Sequence, residues 1–253
     1  MDSIGADLLT VVATKLFDDA QRVPEVLAGA RAVHGGDRVP DYILIQGVTV
    51  AYDFQLPEPI LHPIFEPAVL VVGYNPNYGH NEDIPRYGCT LDEYIRFYLD
   101  RFSDARRDPQ GRHAYRRLSD GRNLQIGHYD VVEQLLDEVL GRRRSLGTLA
   151  VYCDMVPWKS KRPPRFTSVD RVIAYHRLDH IVSKLRPRVV LTLGNMSKHV
   201  LIRDQRCPGM TNGRLQVPLV CSYHPAAYGN LFRKHKKEVQ TLLFSALGKG
   251  TTS

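Results

Sequence analysis

Ala68-Val69-Leu70-Val71-Val72-Gly73-Tyr74-Asn75-Pro76-Asn77-Tyr78-Gly79 is the stretch from which the chain is read. An unbroken apolar run that ends in a Gly/Asn/Pro cluster predicts a strand buried on both faces, which stops abruptly and passes into a loop. Gly73 permits backbone angles that other residues resist, and Pro76 pushes Asn75 out of the helical region, so the Asn75 carboxamide is presented beyond the strand end. A second stretch has the same form: Val217-Pro218-Leu219-Val220-Cys221-Ser222-Tyr223-His224-Pro225-Ala226-Ala227-Tyr228, in which His224 is held before a proline. In open α/β sheets ligands bind outside the carboxyl ends of parallel strands, so these two ends are expected to face one crevice.

Outward from these stretches lie two more apolar strands, Thr148–Cys153 ending at Asp154, and Arg188–Leu193 closing on Gly194-Asn195. Helical spacing marks residues 4–33, 131–140 and 168–184, a short helix at 197–202, and a last helix at 228–247 with Lys234, Lys236 and Lys237 in its early turns. Thr90 and Glu93 form a capping-box pair at a further helix start, and Tyr94, Phe97, Tyr98 and Phe102 follow at helical spacing. That aromatic row reads as a core face rather than a set of base-stacking platforms. Residues 35–67 are rich in Pro, Gly and Asp and predict irregular structure wrapped on the core, with one hairpin from 42–45 and 48–52. The segment 103–123 carries Arg106, Arg107, Arg112, Arg116, Arg117 and Arg122, and reads either as a solvated loop or as a phosphate-contacting insertion. Four apolar strands alternating with helices predict an α/β fold with a parallel sheet covered on both faces.

The chain has 253 residues, enough for one good-sized core, so a single domain over 1–253 is expected, with 1–67 as an N-terminal extension packed on a core of 68–247. With 43% apolar and 24% charged residues, composition indicates neither disorder nor a membrane span. No basic-then-apolar leader opens the chain, and a cytoplasmic protein is the expectation. Lysine and arginine exceed aspartate and glutamate by 34 − 27 = 7, with a pI near 9.3, which favours a polyanionic partner. Cys89, Cys153, Cys207 and Cys221 are scattered without a C-x-x-C pair, so neither a zinc site nor an iron–sulfur cluster is supported.

Gly73-Tyr74-Asn75-Pro76 after the first strand, a polar residue ending the second, Leu193-Gly194-Asn195 closing the third and His224-Pro225-Ala226 after the fourth together resemble the motif set of the uracil-DNA glycosylase superfamily. The resemblance covers residues 68–245 and leaves the first 60 unexplained. It implies a three-layer α/β/α sandwich around a four-stranded parallel sheet, a monomer, and a pocket that receives a nucleotide flipped from DNA. By this resemblance His224 donates to the charge developing on the leaving base, Asn75 orients the attacking water, and Gly73 and Tyr74 line the base pocket. Tyr87 falls where an aromatic stacks on the base and Tyr78 where a side chain crowds the pyrimidine C5 edge; either is equally an ordinary wall residue.

Asp154 departs from the family pattern, which has asparagine at this strand end. An ionised aspartate only accepts hydrogen bonds. Either burial keeps Asp154 protonated, or a backbone N–H supplies the donor, or the preferred base is not uracil. Lys159, Lys161, Arg162 and Arg165, and then Arg233 and Lys234, form basic stretches suited to DNA strands on either side of the pocket. Between them Tyr228, Leu231 and Phe232 offer apolar wedges, with Leu231 preferred. The activity this resemblance implies is monofunctional excision of a deaminated base, uracil first, with no metal or cofactor. A non-catalytic relative that binds damaged or single-stranded DNA, a glycosylase for another base, and an enzyme of free nucleosides remain as alternatives.

Overall fold

Five residues of one apolar run, Val69–Gly73, are all buried, and they take the centre of the molecule's main sheet. The structure is a computed structural model that describes residues 3–21, 42–45, 48–51, 56–74, 85, 88–107, 113–117, 123–125, 127–157, 168–194, 217–225 and 229–248. In chain order its elements are α1 (Ser3–Gln21), β1 (Tyr42–Ile45), β2 (Val48–Ala51), β3 (Val69–Gly73), α2 (Leu91–Leu99), a 3₁₀ turn (Asp104–Arg106), β4 (Ala114–Arg117), β5 (Asn123–Gln125), α3 (Gly127–Leu140), β6 (Ala150–Asp154), α4 (Ser168–Leu185), β7 (Val189–Leu193), β8 (Leu219–Ser222) and α5 (Gly229–Ala246).

The fold is α/β. Four strands form an all-parallel sheet in the order β6-β3-β7-β8. β3, β6 and β7 are buried at every residue, as strands covered on both faces must be, whereas β8 alternates between buried and half-buried positions. From β3 the chain passes to β6 on one side, crosses back to β7 on the other, and continues outward to β8. The connections of the neighbours β3 and β7 therefore leave in opposite directions, and the crevice at their carboxyl ends is the topological switch point of the sheet.

One apolar cluster joins the sheet to the helices. Leu8, Leu9, Ala13 and Ala20 of α1 share it with Tyr94, Phe97 and Tyr98 of α2, Leu135 and Leu136 of α3, and Phe232, Val239 and Leu243 of α5. The aromatic row of α2 is thus core, as its spacing predicts. Thr90 caps that helix in a complete capping box, its hydroxyl accepting from the Glu93 N–H while the Glu93 carboxylate accepts from the Thr90 N–H at 2.7 Å.

β6 lies at the sheet edge, and residues 56–67 cover it. Leu61 N–H donates to the Tyr152 carbonyl at 2.9 Å and Glu58 N–H to the Pro157 carbonyl at 2.6 Å, while Leu56, Ile60 and Leu61 are fully buried. Pro57, Pro59, Pro63 and Pro67 keep this segment from becoming a ladder strand, so it occupies the edge without extending it.

Three sequence expectations are sharpened. The hairpin is β1–β2, with Tyr42 opposite Ala51. β6 begins at 150 rather than 148, because the Ser145 carbonyl gathers the N–H groups of 148, 149 and 150 into a turn in which Gly147 has φ +79°. The arginine-rich segment holds a second hairpin, β4–β5, and Arg107 turns inward to a bidentate pair with Glu133 at 2.7 and 2.8 Å, so this arginine is structural rather than a phosphate contact. The helix expected at 197–202 lies outside the described residues.

Candidate functional site

The strand ends at the switch point bring Gly73, Asp154, Gly194 and His224 together. Gly73 and Asp154 are register partners across β3 and β6. A Cβ at position 73 would overlap both Asp154 Oδ1 and the Tyr152 hydroxyl, so glycine here makes room for the carboxyl beside the strand end. Gly194 has φ +90°, and a Cβ there would stand 3.1 Å from the His224 Cβ, so glycine lets the third strand end pass close to the histidine. Its N–H donates to the Ser222 carbonyl at 2.8 Å, tying the β7 exit to the β8 exit just before His224.

Asp154 is 2% exposed and Glu58 4%. Their carboxyl groups are hydrogen bonded to one another, which requires a proton on one of them, and the Tyr152 hydroxyl donates to Asp154 Oδ1 at 3.3 Å. Burial first, and the Glu58 charge second, push Asp154 well above the usual carboxylate range, and neither the Arg177 charge nor the tyrosine bond offsets this. Of the three explanations open for Asp154, this upward shift accords with the first, a proton held by burial. Arg177 of α4 fixes the backbone around the pair: its guanidinium donates to the carbonyls of Asp154 and Pro59, and at 3.4 Å to that of Glu58. The edge segment 56–62 and β6 are thereby fastened at the point where the carboxyls meet.

His224 is half-buried, and burial holds its pKa below that of a free imidazole. At neutral pH it is an uncharged ring with one N–H to donate. Beside it, with ring centroids 5.3 Å apart, lies His128 from the first turn of α3. His128 packs on Tyr129 at 4.2 Å and faces Tyr152 at 6.3 Å, so it links His224 to the tyrosine that holds Asp154. Behind Tyr129 sit the Arg101 guanidinium, 5.2 Å from that ring, and the fully buried His113, which shares Glu133 with Arg107. Cys153 is enclosed in β6, and burial pushes its thiol up to about 12, so it takes no part as a nucleophile.

The remaining expected site residues divide in two groups. Asn75, Tyr78, Tyr87, Lys159, Lys161, Arg162, Arg165 and Tyr228 lie outside the described residues. Tyr74 is buried at the end of β3, its carbonyl accepting from the Val156 N–H at 3.0 Å. Leu231, Arg233 and Lys234 are exposed on the first turns of α5, whereas Phe232 points into the core at 2% exposure and is no wedge. Lys236 is committed to Glu138 at 2.6 Å, joining α5 to α3. Among the described residues no three His, Cys, Asp or Glu side chains gather as a metal site requires.

Glu58, His128, Tyr152 and Arg177 belong to this constellation, and the sequence reading did not single them out. Tyr152 alone carried a usable signal, since it lies two residues before Asp154 and therefore on the same face of the strand. No protein-family model matches the chain, and no curated protein matches it in sequence.

Proposed function

We propose that the chain is a monofunctional DNA glycosylase of the uracil-DNA glycosylase type, which draws a deaminated base out of DNA and hydrolyses its N-glycosidic bond to leave an abasic site. The observation that carries this reading is the uncharged, half-buried His224 at the exit of β8, beside the switch point. Cleavage of an N-glycosidic bond leaves negative charge on the departing base, and a fixed neutral imidazole N–H in a partly dry site is a donor suited to that charge. In this reading the α/β fold is the three-layer sandwich of that superfamily, Asn75 orients water, and the basic chain accounts for the grip on the phosphate backbone.

The upward shift of the Asp154 pKa supports uracil as the base, because it favours the protonated carboxyl. A neutral carboxyl offers an O–H and a carbonyl oxygen, the same donor and acceptor that an asparagine amide would present. Its enclosure by Glu58 and Tyr152 means that a base meets it only when the pocket opens. The same enclosure favours, as a second reading, a relative that binds damaged DNA and excises nothing.

The deciding experiment offers the purified protein oligonucleotides carrying one uracil, hypoxanthine, xanthine or no lesion, followed by alkali. Scission is expected at uracil, and His224→Ala should slow it by about 100- to 1,000-fold. Scission at another base would keep the reaction and change the substrate. Salt-sensitive binding without scission would establish the second reading.

A further inference from the structure

Among the described residues two imidazoles share the carboxyl end of the sheet, and only His224 has a role so far. His128 is the second residue of α3, its ring 5.3 Å from that of His224 and packed on Tyr129 at 4.2 Å, with Tyr152 on the same side at 6.3 Å. Tyr129 and Tyr152 are themselves 2% exposed, and they meet edge to face at 4.9 Å, so the platform beneath His128 is rigid. We infer that His128 is a positioning residue for His224: packed against the tyrosine platform, it fixes the orientation of the ring that donates to the departing base. The inference rests on the glycosylase reading of the site.

The groups around His128 favour this role over that of a proton carrier. From its own helix it meets Tyr129, from β6 Tyr152, and from the β8 exit His224, while Arg101 and His113 act on it from behind. Burial first, then the charge that His224 would carry, then Arg101 and His113, hold His128 well below a free imidazole. No carboxylate is among these groups, so none of these described residues supports an imidazolium. Two neutral rings side by side keep defined tautomers, whereas a charged pair would repel and turn the donor away.

The test is imidazole ¹⁵N spectroscopy of the wild type, His224→Asn and His128→Phe across the acid-to-neutral range, with turnover on the excised base measured alongside. His128 is expected to titrate at a higher pH in His224→Asn. His224 should hold one tautomer in the wild type and a mixture in His128→Phe. Turnover of His128→Phe should fall by about 100-fold with KM unchanged, the scale of loss that follows misplacement of a reacting group. Circular dichroism confirms that the variant is folded, and His128→Asn, smaller and without the ring, should be no better than His128→Phe. An unmoved His128 titration, or a His128→Phe enzyme as fast as wild type, overturns the positioning role. A wild type that excises no base overturns the function instead, and the spectra then still decide whether the two histidines are paired.

Discussion

At Asp154 burial and the Glu58 carboxyl make ionisation costly and push the pKa well above the usual carboxylate range. The folded protein therefore binds this proton more tightly than the unfolded chain, whose aspartate titrates near 3.8. The group's stabilising contribution is fully present below that value and is lost as pH rises through the folded-state titration, at about 1.4 kcal/mol per pH unit while the difference lasts. Asp154→Asn removes the proton without removing the donor. Its stability relative to wild type should rise as pH rises above the unfolded aspartate value of 3.8. Urea unfolding of both proteins at several pH values checks this, and parallel stability curves would show that Asp154 is an ordinary carboxylate. The position of Asp154 was legible because a strand end marks itself by the polar residue that stops an apolar run. Glu58 was not, since it sits among prolines with no periodicity, and only the fold brings it to Asp154.

Among the elements, α2 was readable from local chemistry, because both partners of its capping box lie within one turn of sequence. α3 was read four residues short. Its apolar period begins at Val131, whereas the helix itself starts at Gly127, so the turn that carries His128 had no pattern to announce it. The β4–β5 hairpin was hidden for a different reason: its strands are rich in arginine, and the segment leading to it is anchored by an ion pair formed across long sequence separation. Burial alone would raise the Glu133 carboxyl, yet His113 and the bidentate Arg107 outweigh it and hold Glu133 at about 2. This contribution to stability is complete above the ordinary carboxylate value of 4.5 and disappears as pH falls through about 2. Glu133→Ala leaves the Arg107 guanidinium, 3% exposed, without its carboxylate and should cost about 3–5 kcal/mol of unfolding free energy. Thermal melting checks the loss, and a variant within about 0.5 kcal/mol of wild type would mean that the pair is solvated in solution.

For the molecule as a whole, the alternation of apolar runs and helices disclosed the parallel sheet, since strands buried on both faces read as continuous hydrophobic sequence. The order of the strands was not disclosed, because four nearly identical apolar runs carry no label for their neighbours. That order, β6-β3-β7-β8, governs how the protein is made. β3 emerges from the ribosome early and pairs with β6 and β7, both of which are synthesised much later. Until residue 150 is available, its apolar surface lacks the sheet partners β6 and β7, and among the described residues a nascent chain halted before then offers the two hairpins and the first helices. A fragment ending at Ser145 should therefore lack the main sheet and aggregate, whereas the full chain folds, as sedimentation and circular dichroism of the two would reveal. The central strand is the first of the four to be translated and waits longest for both its neighbours, so synthesis of this protein passes through an interval in which its most apolar strand needs protection from other chains.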